Sequence, residues 1–275
     1  MAVYSSRMMA RVLSVAGSDS GGGAGIQADV KTITALGAYA ATAITALTAQ
    51  STLGVFEIMA VPAGFVRRQM RVVLDDIGAD AVKTGMLVGV DIIEAVADEL
   101  AATHPQPLLV VDPVMVAKGG APLLAAEATR ALIERLFPLA TVVTPNAPEA
   151  AALTGLPVAS PEDLVRAGHA LLELGARAVY MKGGHVAGDE VVDVLVTREA
   201  APLRLAGPRI VSRSTHGTGC TLASAIATGL AQKLHLAPAC ARARHYVEAA
   251  IASAPDLGRG HGPLAHGHAI PPYQS

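Results

Sequence analysis

Short apolar runs alternate with amphipathic stretches along almost the whole chain. Residues 11–16 (Arg-Val-Leu-Ser-Val-Ala) stop at Gly17 as a buried strand does, and 39–47, 81–83, 108–111, 141–143 and 179–181 repeat the pattern. Between them the apolar period lengthens. Ile26, Val30 and Ile33 share one helical face, as do Ile92, Ile93, Val96 and Leu100. Pro62 and Pro161 stand where helices open, and further helices are predicted over 127–136, about 218–233 and 238–254. Residues 55–61 read as an edge strand, and 191–197 with 203–205 as a hairpin. The alternation predicts one α/β domain over 1–275, a mostly parallel central sheet with helices on both faces. Residues 1–10 read as an extension and 258–275 as a Gly/His/Pro-rich loop tail.

In such sheets ligands lie beyond the carboxyl ends of the strands. Polar residues recur there: Gln50, Lys83 with Met86, Asp112, Asn146 with Glu149, and Lys182 beside two glycines. The last member is Ser214-Thr215-His216-Gly217-Thr218-Gly219-Cys220-Thr221, which runs into an apolar helix. Glycines around Thr218 turn backbone N–H groups toward one point, where the helix dipole adds to them, so Gly217, Thr218 and Gly219 form a candidate phosphoryl cradle. Cys220 stands in the first helical turn, where a thiolate is favoured electrostatically. Asp112 and Glu149 are hard oxygen donors of the kind magnesium uses beside phosphate oxygens, and Lys182 can reach a phosphate as a point charge. Together these parts point to phosphoryl transfer from a nucleotide, by a route other than the Gly-x-x-x-x-Gly-Lys-Ser/Thr loop, which does not occur.

Composition narrows the partners. Hydrophobic residues make up 52% and mean hydropathy is +0.44, which excludes a disordered chain. Aromatic content is 3%, Trp is absent and the formal net charge is −2, so no nucleic-acid partner is expected. No run suggests a membrane span. Cys220 and Cys240 are the two cysteines, which suits a reducing cytoplasm. A dinucleotide reading of the glycine loop at 17–25 fails on spacing. His261, His266 and His268 lie at irregular spacing in the tail and read as solvated rather than metal-binding.

The motifs also carry a resemblance. Residues 16–29 (Ala-Gly-Ser-Asp-Ser-Gly-Gly-Gly-Ala-Gly-Ile-Gln-Ala-Asp), 45–51, 83–87, 111–115, Thr144-Pro145-Asn146-x-x-Glu149, 181–185 and 215–221 resemble, in order, the hydroxymethylpyrimidine/phosphomethylpyrimidine kinases of thiamine synthesis. That family has the ribokinase-like fold. The resemblance implies ATP with Mg2+, and an aminopyrimidine alcohol phosphorylated first to the monophosphate and then to the diphosphate. It implies that Gln50 reads the aminopyrimidine edge, Met86 packs on the ring, Asp29 orients the substrate and Gly17 lines its site. Asp112, Asn146, Glu149, Lys182 and Thr215 would serve the nucleotide, with Asp112 and Glu149 toward the metal. Cys220 takes the place that an aspartate base holds in most sugar kinases of this fold. Whether it removes the proton or only lines the site stays open, and a base at neutral pH would need a thiol pKa lowered toward 7. Pyridoxal/pyridoxine kinase and a non-catalytic vitamin- or nucleotide-binding regulator are the competing readings. A homodimer is implied by the resemblance alone.

Overall fold

The computed structural model describes residues 9–115 and 125–271. The loop expected at residues 118–120, residues 1–8 of the extension and the last four residues of the tail lie outside them.

Nine strands form one sheet: β1 (Arg11–Asp19), β2 (Tyr39–Ser51), β3 (Gly54–Ala60), β4 (Ala81–Thr84), β5 (Leu108–Val111), β6 (Val142–Val143), β7 (Ala178–Met181), β8 (Glu190–Thr197) and β9 (Leu203–Pro208). Their spatial order is β3-β2-β1-β4-β5-β6-β7-β8-β9. The run from β2 to β7 is parallel, and antiparallel hairpins close both flanks: β3 on β2, then β8 and β9 beyond β7. Strands β4 to β7 are apolar almost throughout because helices cover both of their faces. One face packs on α2 (Ala63–Asp76), α3 (Val90–Ala102), α4 (Ala126–Ala131), α5 (Ala147–Thr154) and α6 (Pro161–Glu173). The other packs on α1 (Gly25–Ala35), α7 (Thr218–Ala231) and α8 (Leu236–Ala252). Every residue of α7 from Thr221 onward is buried, so the helix that carries the Gly-Thr-Gly turn is clamped between the sheet and its neighbours.

Three local expectations change. Strand β2 continues past residue 47 to Ser51, because Thr48 and Gln50 alternate with outward residues while pairing to β3. The most buried face of α1 is Ala28, Asp29, Thr32 and Ile33, not the Ile26/Val30 stripe. A charged residue faces the core there because Lys83 on β4 meets it. The tail is not a solvated loop: Leu264 and His266 are buried, and Gly260, His261 and Gly262 bond Thr52 and Arg213.

Candidate active site

The carboxyl ends of the parallel strands open into a cavity of about 310 Å3. Gly17, Gln50, Met86, Asp112, Lys182 and Cys220 all line it, reached from β1, β2, β4, β5, β7 and α7. Beside it lies a second cavity of about 420 Å3 that shares Asn146, Lys182, Thr215, Thr218 and Gly219. The two are lobes of one cleft, and the Gly-Thr-Gly turn with Lys182 marks their junction.

Gly217 caps α7 with φ +85, a conformation that strains any L side chain. A Cβ there would also lie 1.8 Å from the Gly23 carbonyl oxygen, so the turn is packed against the glycine loop of β1. A Cβ on Gly219 would sit 3.3 Å from Lys182 Nζ. The helix start and the Lys182 ammonium therefore lie on either side of a narrow gap, two sources of positive potential beside the place where an anion would sit.

Lys182 is held by acids. Its Nζ lies 2.8 Å from Asp112 Oδ1 and 3.5 Å from Glu149 Oε2, with only 13% of its side chain exposed. Burial works against the ammonium, but Asp112 and Glu149 outweigh it and hold its pKa above the ordinary range. Burial, with the Asp112 charge added, pushes the Glu149 carboxyl up despite Lys182. Glu149 and Asn146 also cap α5 reciprocally: Glu149 N donates to Asn146 Oδ1 at 2.9 Å, and Asn146 N to Glu149 Oε2 at 2.8 Å. Among the described residues no group of three or more His, Cys, Asp or Glu could hold a metal ion. Asp112 and Glu149 are donors that fit a magnesium ion carried on phosphate oxygens, which commonly takes one or two carboxylates.

Cys220 is half-buried on the cavity wall. Its thiol is not lowered toward 7 by the helix start. Burial pushes it up to about 11, Asp29 and Asp112 push the same way, and the Lys83 ammonium opposes them.

Asp29 and Lys83 are not brought to the cavity. Both are fully buried, with Lys83 Nζ 2.9 Å from each Asp29 oxygen. Ser14 Oγ and Ser224 Oγ donate to the same carboxylate at 2.6 and 2.7 Å. The cluster ties β1, α1 and β4 to α7 one turn below Cys220. Asp29 does not line the cavity. The sequence does not foretell this, because a charge on a helix is ordinarily solvated.

Residues without an expected role complete the site. Asp19 accepts from the N–H groups of Gly21, Gly23 and Ala24, and its Oδ2 lies 2.8 Å from His216 Nε2. Burial opposes its ionisation, but His216 and these backbone donors hold its carboxyl below the usual range. His216 Nε2 is in turn 3.2 Å from the Gln50 amide. The outer cavity has an apolar wall from Val191, Ile210, Leu222, Val247 and Ile251. Under it Asp193 accepts from Tyr180 Oη and from Gly183 N, and pairs with Arg244 at 2.8 Å. The bond from Gly183 N fixes the turn after Lys182. Val191 and Asp193 come from the hairpin, Ile210 from the segment after it, Leu222 from α7, and Arg244, Val247 and Ile251 from α8, far apart in sequence and without a shared motif.

Comparison with known proteins places the chain. The family model described as phosphomethylpyrimidine kinase matches residues 19–265. The thiamine biosynthesis bifunctional protein ThiED of Geobacter sulfurreducens is 55% identical over 93% of this chain, which spans about half (52%) of that longer protein. The hydroxymethylpyrimidine/phosphomethylpyrimidine kinase of Streptomyces coelicolor is 50% identical, covering 94% of this chain and 95% of its own. Among solved structures, the pyridoxal kinase from Staphylococcus aureus in complex with AMP-PCP and pyridoxal superposes with a TM-score of 0.87 at 34% identity, over 95% of each chain.

Proposed function

The chain belongs to the phosphomethylpyrimidine kinase family, and on that footing we propose that it transfers the γ-phosphoryl group of ATP to an aminopyrimidine alcohol and then to the resulting monophosphate, in thiamine synthesis. The observation that carries the reading is the shared junction of the two lobes. One lobe ends in Gln50 and Met86, the other in an apolar slot, and Lys182 with the α7 start lies between them. The first lobe would hold the pyrimidine: a side-chain amide pairs a ring nitrogen and an adjacent exocyclic amine. The second would hold the nucleotide, with the base against Val247 and Ile251 and the phosphates toward Asn146, Thr215 and Lys182. In the Staphylococcus relative the nucleotide analogue and pyridoxal are bound together.

In the reaction the acceptor oxygen bonds the γ-phosphorus as the bond to the bridging oxygen of ADP breaks. Lys182 and the Gly217–Gly219 amides hold the negative charge of the group in flight. Magnesium, when carried on the nucleotide near Asp112 and Glu149, would neutralise phosphate charge. Cys220 lines the site beside the turn, and with its thiol pushed up to about 11 it is protonated at neutral pH, which argues against a thiolate base; the Cys220→Ser variant decides whether it takes the hydroxyl proton. In the second transfer the acceptor is a phosphate oxygen that needs no base. Purified protein with ATP, magnesium and hydroxymethylpyrimidine should yield the monophosphate first and the diphosphate later. Phosphorylation of pyridoxal with no turnover of the pyrimidine would favour the vitamin B6 reading, and no ATP consumption with either would favour a regulator.

A homodimer is supported by the exposed apolar side chains along the β2–β3 flank: Phe56 is 72% and Met59 63% exposed, with Leu47 and Ile58 beside them. Equilibrium sedimentation of the wild type and of Phe56→Glu tests it; a monomeric wild type would contradict it. No helix of the described residues is long and apolar enough to cross a membrane. The free thiols Cys220 and Cys240 accord with a cytoplasmic setting.

A further inference from the structure

The Gln50 amide is held at both ends. The amide nitrogen is placed 3.2 Å from His216 Nε2, and Thr48 Oγ1 donates to the amide oxygen at 3.1 Å. A half-turn of the amide exchanges the ends without changing its shape, so proton count must decide which end is which. Asp19 is 3% exposed and ionised, and a carboxylate only accepts. The proton in the 2.8 Å contact between Asp19 Oδ2 and His216 Nε2 therefore belongs to the imidazole. His216 Nε2 is a donor and has no lone pair for an amide NH2. The Gln50 carbonyl must face it, and the NH2 must face Thr48. Thr48 can accept, because its own hydroxyl proton goes to the Ser18 carbonyl at 2.9 Å. The single Nε2–H is then shared between the Asp19 carboxylate at 2.8 Å and the Gln50 carbonyl at 3.2 Å, and no two donors face each other.

We infer that Asp19, His216 and Thr48 are positioning residues that lock the polarity of the Gln50 amide, and so set which order of donor and acceptor the substrate ring must present. The inference rests on the proposed aminopyrimidine reading. The Gln50 edge lining the cavity has its remaining carbonyl lone pair on the His216 side and its remaining N–H on the Thr48 side. A 4-aminopyrimidine complements that order through its amine and adjacent ring nitrogen. The 4-oxo analogue, with a ring N–H beside a carbonyl, presents the opposite order. A free amide would turn over and accept either, whereas a locked one leaves two polar pairs mismatched.

The test is kcat/KM for hydroxymethylpyrimidine against its 4-oxo analogue in the wild type, His216→Phe, His216→Gln and Thr48→Val. The wild type should prefer the amine. His216→Phe and Thr48→Val should each lose about tenfold or more of that preference, chiefly through KM for the amine. His216→Gln, whose amide nitrogen reaches nearest to the Nε2 position and has N–H groups for Asp19 and Gln50, should retain most of it. A merely structural role would lower both activities and leave their ratio alone. Thr48→Val lies on a different strand from the anion turn, so it decides the matter if His216→Phe does not fold. An unchanged ratio in folded Thr48→Val overturns the lock, with the aminopyrimidine reading intact. A wild type that phosphorylates neither pyrimidine overturns that reading and the lock with it.

Discussion

Replacing Lys83 with methionine leaves Asp29 charged in the core with only the hydroxyls of Ser14 and Ser224. Both members of the pair are 0% exposed. Breaking a buried pair by removing one partner costs about 3–5 kcal/mol. At roughly 2–4 °C per kcal/mol for a large domain, Tm should fall by about 10 °C. Lys83→Met with Asp29→Asn removes both charges at similar volume and should recover most of the loss. Urea unfolding of the four proteins in a double-mutant cycle reads the coupling, expected to be at least about 2 kcal/mol. The same substitution removes the ammonium that favours the Cys220 thiolate, so alkylation of Cys220 should slow in folded Lys83→Met. A cost under about 1 kcal/mol would refute a charged pair in the core. An Asp29→Asn protein of unchanged stability with a raised substrate KM would restore the substrate role expected from sequence.

Three further outcomes follow from the cleft. Because burial raises the Cys220 thiol to about 11, iodoacetamide inactivation should rise about tenfold per pH unit from 7 to 10; a plateau by pH 8 would show a lowered pKa. The raised value also means that the thiol favours the folded state below pH 9 and that this contribution fades as pH rises through 11. Cys220→Ser should fold and bind both ligands and, because the thiol is protonated near neutral pH, keep turnover to the alcohol within about tenfold; a loss of about 10²–10⁴ in that step with transfer to the monophosphate spared would assign Cys220 as its base. Glu149→Gln should raise the magnesium concentration for half-maximal rate, and a titration superimposable on wild type would remove Glu149 from that role.

The sheet was legible because parallel strands covered on both faces are short apolar runs, and the glycine turns between them are hard to mistake. Lys182, Gln50 and the Gly217–Cys220 turn were legible as strand-end or helix-start residues beside flexible links. Lys83 and Asp29 were not, since periodicity treats a charge as a surface marker and only tertiary pairing reverses it. The outer cavity wall was hidden for another reason: Val191, Ile210 and Val247 are ordinary apolar residues whose convergence depends on where the hairpin and α8 pack. The thiol illustrates a contest of two effects. The helix start argues for a thiolate, but burial beside two carboxylates wins.

The most direct test of a single phosphoryl-transfer centre is turnover of both acceptors, the alcohol and its monophosphate, by the wild type and by folded Lys182→Met at saturating ATP and magnesium. Lys182 stands at the junction of the two lobes, and losing such a charge should cost about 10²–10³ in rate. The account predicts that the wild type phosphorylates both acceptors and that the variant loses both by comparable factors. A wild type inactive on both, or a variant that keeps either transfer near the wild-type rate, would contradict it.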